Sequence, residues 1–205
     1  MKRFVTVVAL VMSGTAALTS SALAQALSGS PPVSPLGAAT ASKAAEFALL
    51  NVCRPAAEQN LPASGFAQKL GYLPDATLPP GLPIIREGAQ SWKAPVSVGE
   101  VHVISGAIPE PAQQSACMVA IYGDPAVGFE DLLTGRLTAG DLGFERDGKQ
   151  SFTTDRYVIT HYDAHEGYLV RNVMVARALT PTPDHPTLTV VTYRVDYSWL
   201  KSVSH

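Results

Sequence analysis

The sequence lacks long hydrophobic runs. Its most apolar stretch, residues 4–12, is followed by a Ser-Gly-Thr triplet. It falls short of the roughly 20 apolar residues that a membrane-spanning helix needs. Lys2 and Arg3 precede this stretch, and Ala22 and Ala24 follow it in "SALAQA" as the small residues that a signal peptidase requires. This order of features predicts a secretory signal peptide that is cleaved near Ala24, and no membrane span.

Cysteine is missing from the residues that directly follow the predicted cleavage site, so the usual lipid attachment point of a bacterial lipoprotein is absent. With residues 1–24 as a signal peptide, we expect a periplasmic or secreted protein. Residues 25–39 combine Ser, Gly and Pro without a helical or strand period, which is typical of a flexible tether. Residues 40–205 are predicted to form a single domain.

An excess of basic residues is also missing. Lys and Arg number 15 against 17 Asp and Glu, which gives a net charge of −2. Loss of Lys2 and Arg3 with the signal peptide leaves 13 basic and 17 acidic residues, a net charge of −4. Nucleic-acid binding requires a strongly positive surface, so we expect no nucleic-acid partner.

The sequence contains none of the short motifs that mark common enzymes. It has no G-x-S-x-G elbow for a nucleophilic serine, and "GDPAVGFEDLLTGRL" lacks the spacing and the Lys-Ser/Thr ending of a phosphate-binding loop. The acid pairs Glu130 with Asp131 and Glu145 with Asp147 are interpreted as solvated surface groups. We predict no catalytic residue and no cofactor, and the pattern favours a protein that is not an enzyme.

Cysteine is scarce in the whole chain, with Cys53 and Cys117 as its two members. An even number of cysteines in an oxidising compartment favours a disulfide, whereas a redox pair usually lies close together as C-x-x-C. We therefore predict a structural bond between Cys53 and Cys117. Closing a loop of about 65 residues restrains the unfolded chain by roughly 4 kcal/mol.

Apolar periodicity predicts three helices. The first covers "TASKAAEFALLNVC" from an N-cap at Thr40 or Ser42, and it ends at Arg54 because the residue before Pro55 disfavours helical backbone angles. A shorter helix is predicted in "ASGFAQKLGY". A third begins at "DPAVGFEDLL", with Asp124 as its cap and the following proline at the first helical position.

Six segments have the alternation or the short apolar runs of strands. They are "SWKAPV", "GEVHVIS", "SACMVAIYG", "DRYVITHY", "GYLVRNVMVARAL" and "TLTVVTYRVDYSWL". The proline-rich residues 73–90 are predicted to form a loop. The sequence thus predicts an α+β fold, in which an antiparallel sheet of about five or six strands carries the N-terminal helices and one mid-chain helix.

The stretch "ITHYDAHEGYLV" contains the residues best suited to chemistry. On a continuous strand, His161, Asp163 and His165 would share one face, as metal ligands require. Asp163 and Gly167, however, bracket residues that favour a turn, and no second group of ligands has matching spacing. We interpret the stretch as a hairpin turn, with a metal site at His161, Asp163 and His165 as the alternative.

One row of aromatic residues gives a further signal. Tyr193, Tyr197 and Trp199 line one face of the last predicted strand. Such a row is typical of a core or a sheet surface. An exposed aromatic row can also bind a protein or glycan partner. The other histidines lie where ordinary strand or loop residues are expected: His102, His185 and His205.

The chain resembles small uncharacterised two-cysteine envelope proteins of bacteria. Four features carry this resemblance: the signal peptide, "AAEFALLNVC", "FAQKLGY" and "ACMVAIYGDP". The likeness covers residues 40–138. It implies a disulfide and an extracytoplasmic location, and it implies no activity. We expect a non-enzymatic module that binds or supports an envelope protein or glycan; the alternative is a metal-dependent hydrolase or metal-binding protein that uses His161, Asp163 and His165.

Overall fold

An antiparallel sheet of eight strands forms the centre of the protein. The computed structural model describes residues 40–82, 88–108, 114–124, 126, 128–139 and 142–198. The predicted signal peptide and tether lie outside the described residues. The sheet and the helices packed on it confirm the α+β fold. The strands are β1 Leu73–Asp75, β2 Gln90–Ala94, β3 Glu100–Ile108, β4 Gln114–Tyr122, β5 Glu145–Thr153, β6 Tyr157–Glu166, β7 Leu169–Ala178 and β8 Leu188–Asp196.

The predicted number of about five or six strands is wrong, because the two edge strands, β1 and β5, carry weak sequence signals. β1 has three residues and includes Pro74. Because proline is depleted in strands, the sequence predicts a loop over residues 73–90 that contains this strand. β5 reads "ERDGKQSFT" and exposes most of its side chains on both faces. Because β5 is an edge strand whose side chains are mostly exposed in the described part of the chain, its sequence does not alternate between apolar and polar residues.

The strand order is β1-β2-β3-β4-β8-β7-β6-β5, and every neighbouring pair is antiparallel. Strands β1 to β4 form one meander and strands β5 to β8 form a second one. The meanders meet where β4 pairs with β8, with Cys117 opposite Thr192. Each meander follows a helical segment in the chain, so the two halves of the domain repeat one layout.

The helices are α1 Ala41–Ala48, α2 Arg54–Gln59, α3 Ser64–Lys69 and α4 Phe129–Thr138, with a π-helical turn over Leu49–Cys53 between α1 and α2. α1 begins at the predicted cap, where Thr40 Oγ1 accepts a hydrogen bond from the Lys43 amide. Among the described helices, none combines the length and the hydropathy that crossing a bilayer requires.

The predicted end of the first helix at Arg54 is wrong, because helical structure continues to Gln59. At the π-helical turn the Arg54 N–H bonds to the Leu49 carbonyl, five residues back. Pro55 therefore lies in the first turn of α2, where a missing N–H costs little. Asn60 then ends the helix in the left-handed conformation, with φ of 51°.

The start of the mid-chain helix also differs from the prediction. α4 begins at Phe129, after Gly128 with φ of 76°. Asp124 does not cap this helix; its Oδ1 accepts a hydrogen bond from the Ala126 amide at 2.8 Å. A short aspartate can close such a local turn as readily as it caps a helix, so its position before an apolar stretch did not fix the first helical residue.

The predicted disulfide between Cys53 and Cys117 is confirmed. It joins the π-helical turn to β4, and both cysteines are fully buried. Thr192 Oγ1 lies 3.4 Å from the Cys53 carbonyl oxygen and so ties the same turn to β8. The disulfide and this hydrogen bond therefore fix the N-terminal helices on the two central strands, β4 and β8. Small side chains allow this close approach: Ala41, Ala44, Ala45 and Ala48 are all buried.

The other face of the sheet is covered in part by the proline-rich segment before β2. Leu82 and Ala89 pack against a buried cluster that includes Met118, and Tyr122 Oη donates a hydrogen bond to the Pro80 carbonyl at 2.6 Å. The segment thus shields apolar side chains that face away from the helices.

Candidate metal centre

The turn predicted for "THYDAHEG" lies further along the chain than expected. β6 continues to Glu166, and the reversal occurs at Gly167, with φ of 64°, and Tyr168. The interpretation of Asp163 to Gly167 as a turn is therefore wrong, since only its last residue, Gly167, lies in the turn. Because the strand is continuous, His161, Asp163 and His165 lie on one face of the sheet.

The neighbouring strand brings a further carboxylate to this face. In the β5–β6 register Asp147 pairs with His161, and Glu145 pairs with Asp163. One potential ligand atom from each of Asp147, His161 and Asp163 lies within 4.8 Å of the other two. We call these three residues the β5–β6 cluster. The sequence predicts Asp147 as a solvated acid, because the pattern of β5 does not indicate a strand.

A β-bulge holds Asp147 in place. The β5–β6 register shifts between Asp147 and Phe152, and the Asp147 Oδ1 accepts hydrogen bonds from the amides of Lys149 at 2.8 Å and Gln150 at 3.3 Å. Gln150 Nε2 donates to Oδ2 at 2.9 Å. These bonds, led by that from the Lys149 amide, lower the pKa of Asp147, so its carboxylate is ionised at neutral pH.

His161 is the buried member of the cluster, with 3% of its surface exposed. Its backbone amide donates to Ser151 Oγ at 3.1 Å, and its Nε2 lies 3.4 Å from Tyr193 Oη. The buried Nδ1 has no hydrogen-bond partner. Burial lowers the pKa of His161, while the nearby carboxylates of Asp163 and Asp147 act in the opposite direction. The imidazole is therefore neutral at pH 7 and has a lone pair to offer.

Asp163 and His165 lie on the solvent-exposed side of the site. His165 Nε2 lies 2.5 Å from Asp163 Oδ2, and the His165 side chain is 65% exposed against 19% for Asp163. His165 is thus adjacent to a cluster residue without belonging to the group of three. Two carboxylates beside a neutral imidazole give the site negative charge, which attracts cations.

His102 lies in a second polar group on the other half of the sheet. It is buried, with Nε2 at 3.0 Å from Glu100 Oε2 and Nδ1 at 3.3 Å from Asp75 Oδ2. Lys93 Nζ contacts the other Glu100 oxygen at 2.6 Å. The hydrogen bond from Lys93, followed by that from His102, lowers the pKa of Glu100. The carboxylates flank opposite ring nitrogens and already have partners, so this group links β1, β2 and β3.

The remaining predicted residues do not join the cluster. His185 lies in the loop before β8, with Nε2 at 2.9 Å from Arg156 Nη1. Tyr193 is half-buried, and its hydroxyl faces His161. His205 and Trp199 lie outside the described residues, so the aromatic row with Tyr197 is only partly described.

Comparison with known proteins gives no match, whether to a protein-family model, to a curated protein or to a solved structure.

Proposed function

We propose that the protein binds a divalent transition-metal ion through Asp147, His161 and Asp163, as a non-enzymatic periplasmic or secreted module. The observation that carries this proposal is the convergence of one imidazole and two carboxylates within 4.8 Å of one another on adjacent strands. Such a separation lets one ion reach all three groups at its usual bond lengths of about 2.0–2.2 Å after small side-chain rotations.

The donor set selects the class of ion. An imidazole nitrogen favours zinc, copper, nickel or cobalt, whereas magnesium and calcium take oxygen ligands almost exclusively. In the tautomer that binds metal through Nδ1, the proton lies on Nε2 and faces Tyr193 Oη at 3.4 Å. The unpartnered, buried Nδ1 supports the same assignment, because a buried polar atom without a partner costs stability that a metal bond would recover.

His165 lies beside the proposed site and holds one of its ligands. Its Nε2 contacts Asp163 Oδ2, and a contact of this kind orients a metal-binding carboxylate. Because four residues of extended strand span about 13 Å, His165 does not reach the ion that His161 would bind, and water would complete the coordination of an ion held by the three cluster residues.

The non-enzymatic form of the proposal rests on the absence of catalytic motifs from the sequence, and two clefts of the described residues also lie away from the cluster. A cleft of about 570 Å³ lies beside His102, and one of about 360 Å³ lies beside His185. Neither cleft is lined by a residue of the β5–β6 cluster. A hydrolase needs a substrate cavity that adjoins the metal.

Metal binding is tested on the untagged mature protein, stripped of metal and then equilibrated with Zn²⁺ or with Mg²⁺. We expect about one bound Zn²⁺ by elemental analysis, which is the occupancy of a single site, and no bound Mg²⁺. A Zn²⁺ excess of about 100 Kd should raise Tm by roughly 5–10 °C. The D163N and H161Q variants should lose both the bound zinc and the shift.

The matched control is H185Q, which removes one imidazole without touching the cluster and should bind zinc as the wild type does. Circular dichroism shows whether each variant is folded, and D163N keeps the test informative if H161Q unfolds. Equal zinc content in the wild type and in folded D163N would overturn the proposal, and so would equal binding of Mg²⁺ and Zn²⁺.

A further inference from the structure

We infer that His102 is a proton-dependent link, which holds the edge strand β1 on the sheet at mildly acidic pH and releases it as the pH rises. His102 lies on β3, and 3% of its surface is exposed. Its Nε2 is 3.0 Å from Glu100 Oε2, and its Nδ1 is 3.3 Å from Asp75 Oδ2. Asp75 is the last residue of β1, so the ring connects the edge strand with β3, two strands further into the sheet.

A neutral imidazole cannot satisfy both carboxylates. It carries one N–H, and its second ring nitrogen has a lone pair instead. The hydrogen bond is made at Nε2, with Glu100, whereas Nδ1 is buried without a hydrogen-bond partner. In this tautomer the lone pair of Nδ1 faces the Asp75 carboxylate, and the contact is unfavourable. The imidazolium has an N–H on each nitrogen, so one added proton turns this contact into a charge-assisted bond between β3 and β1.

The other charged and titratable groups around His102 leave Asp75 dependent on the ring. Lys93 on β2 contacts Glu100 Oε1 at 2.6 Å, so the charge of Glu100 is compensated in either state of the imidazole. Tyr122 on β4 meets the ring edge-on, with the ring centres 5.5 Å apart. Burial raises the pKa of this phenol, so it stays neutral where histidine titrates. Among the ion pairs of the described residues, Asp75 takes part in one, that with His102.

The link holds more of the chain than the three residues of β1. Residues 76–82 follow Asp75 directly, and the Thr77 amide donates to Asp75 Oδ1 at 3.4 Å. Leu82, at the end of this segment, packs against the buried apolar cluster that includes Met118. The Asp75 side chain is 26% exposed, so protons reach the group from solvent. Release of β1 would loosen the cover of this cluster and uncover the outer edge of β2, whose backbone groups could then pair with another chain.

Amide hydrogen exchange of the folded protein tests the link. Exchange of the β1 and β2 amides is measured from about pH 5.5 to about pH 8 and corrected for the intrinsic dependence of exchange on pH, which gives the protection of each amide. In the wild type we expect protection to fall by roughly fivefold or more as the pH rises over this range, since a hydrogen bond between charged groups is lost. H102Q, whose side chain does not titrate, should change by less than about twofold.

H185Q is the matched control. It removes the other histidine that borders the covering segment, beside Gly81, and it should respond as the wild type does. D75N removes the negative charge that the imidazolium binds and should respond as H102Q does, which keeps the test informative if H102Q does not fold. A wild type whose protection does not fall, an undiminished fall in folded H102Q or D75N, or loss of the response in H185Q would each overturn the proposal. None of these variants alters the β5–β6 cluster, so the outcome is separate from that of the metal proposal.

Discussion

Breaking the bond between Cys53 and Cys117 should remove a large part of the stability of the domain. The cysteines are 64 residues apart in sequence, and in the chain-entropy model a loop of this length restrains the unfolded chain by about 4 kcal/mol at 25 °C. Typical domains are stable by about 5–15 kcal/mol. We therefore expect the reduced protein to lose about 4 kcal/mol of its free energy of unfolding.

The C53A/C117A variant should lose slightly more than the reduced wild type. Both sulfur atoms are buried between the π-helical turn and β4, so their removal leaves a small cavity that adds about 1–2 kcal/mol. The native fold should persist, because the same turn is also tied to β8 through Thr192.

Urea unfolding at pH 7 measures this effect in the oxidised protein, the reduced protein and the double variant. With a slope of about 2 kcal/mol per molar urea, a loss of about 4 kcal/mol lowers the midpoint by roughly 2 M. The slope itself should rise on reduction, because an unfolded chain without the cross-link exposes more surface. A loss below about 1 kcal/mol with an unchanged slope would refute the argument from loop length.

Three further changes test other parts of the structure. Tyr72 is buried with an unpartnered hydroxyl, and burial raises its pKa to about 12; Y72F should raise the free energy of unfolding by about 1 kcal/mol at pH 7. It should also reduce the loss of stability between about pH 10 and 12, because Tyr72 ionises near pH 10 in the unfolded chain but keeps its proton up to about pH 12 in the fold. Both effects are read from urea unfolding at several pH values, and a less stable Y72F would contradict them. A Cβ at Gly81, which has φ of +71°, would lie 2.7 Å from the Asp184 carbonyl oxygen, so G81A should cost about 2 kcal/mol, measured as a lower urea midpoint. Glu100 has a lowered pKa, chiefly through Lys93, and its contribution is present above about pH 4.5 and lost as pH falls through the folded pKa. E100Q should therefore show a smaller fall in Tm below pH 4.5 than the wild type, with a cost at pH 7 of no more than about 1 kcal/mol because the pair is half-exposed; identical acid profiles would speak against this.

The elements that the sequence predicted well are those with one consistent environment along their length. β8 is buried on both faces from Leu188 to Thr192, and its β-branched residues are those that favour a strand in such a position. β4 is apolar from Ala116 to Tyr122 because this part lies at the centre of the sheet and is buried on both faces. The bond between Cys53 and Cys117 also follows from composition, since the two cysteines have no other partner.

The helix boundaries were harder to predict, because they depend on contacts outside the helix. The rule that a helix ends before proline failed at Pro55, where a π-helical turn changes the hydrogen-bond register. The disulfide between Cys53 and Cys117 also joins this turn to β4 of the sheet. Tertiary packing therefore outweighed the local preference at this point.

The candidate metal site could be predicted only in part, and the reason lies in β5. His161 and Asp163 were recognisable from their spacing in one strand, but Asp147 reaches them through the register of a neighbouring strand. That strand is polar because it forms an edge of the sheet, and it is bulged because Asp147 binds the amides of Lys149 and Gln150. The polarity and the bulge of β5 prevent its prediction as a strand from the sequence. The same two features place an ionised carboxylate beside a buried imidazole. A departure from the regular strand pattern is thus itself a signal, since natural sequences tend to break local rules where a function requires it. In this chain the carboxylate that joins His161 comes from the polar segment before β6 and not from a second histidine cluster.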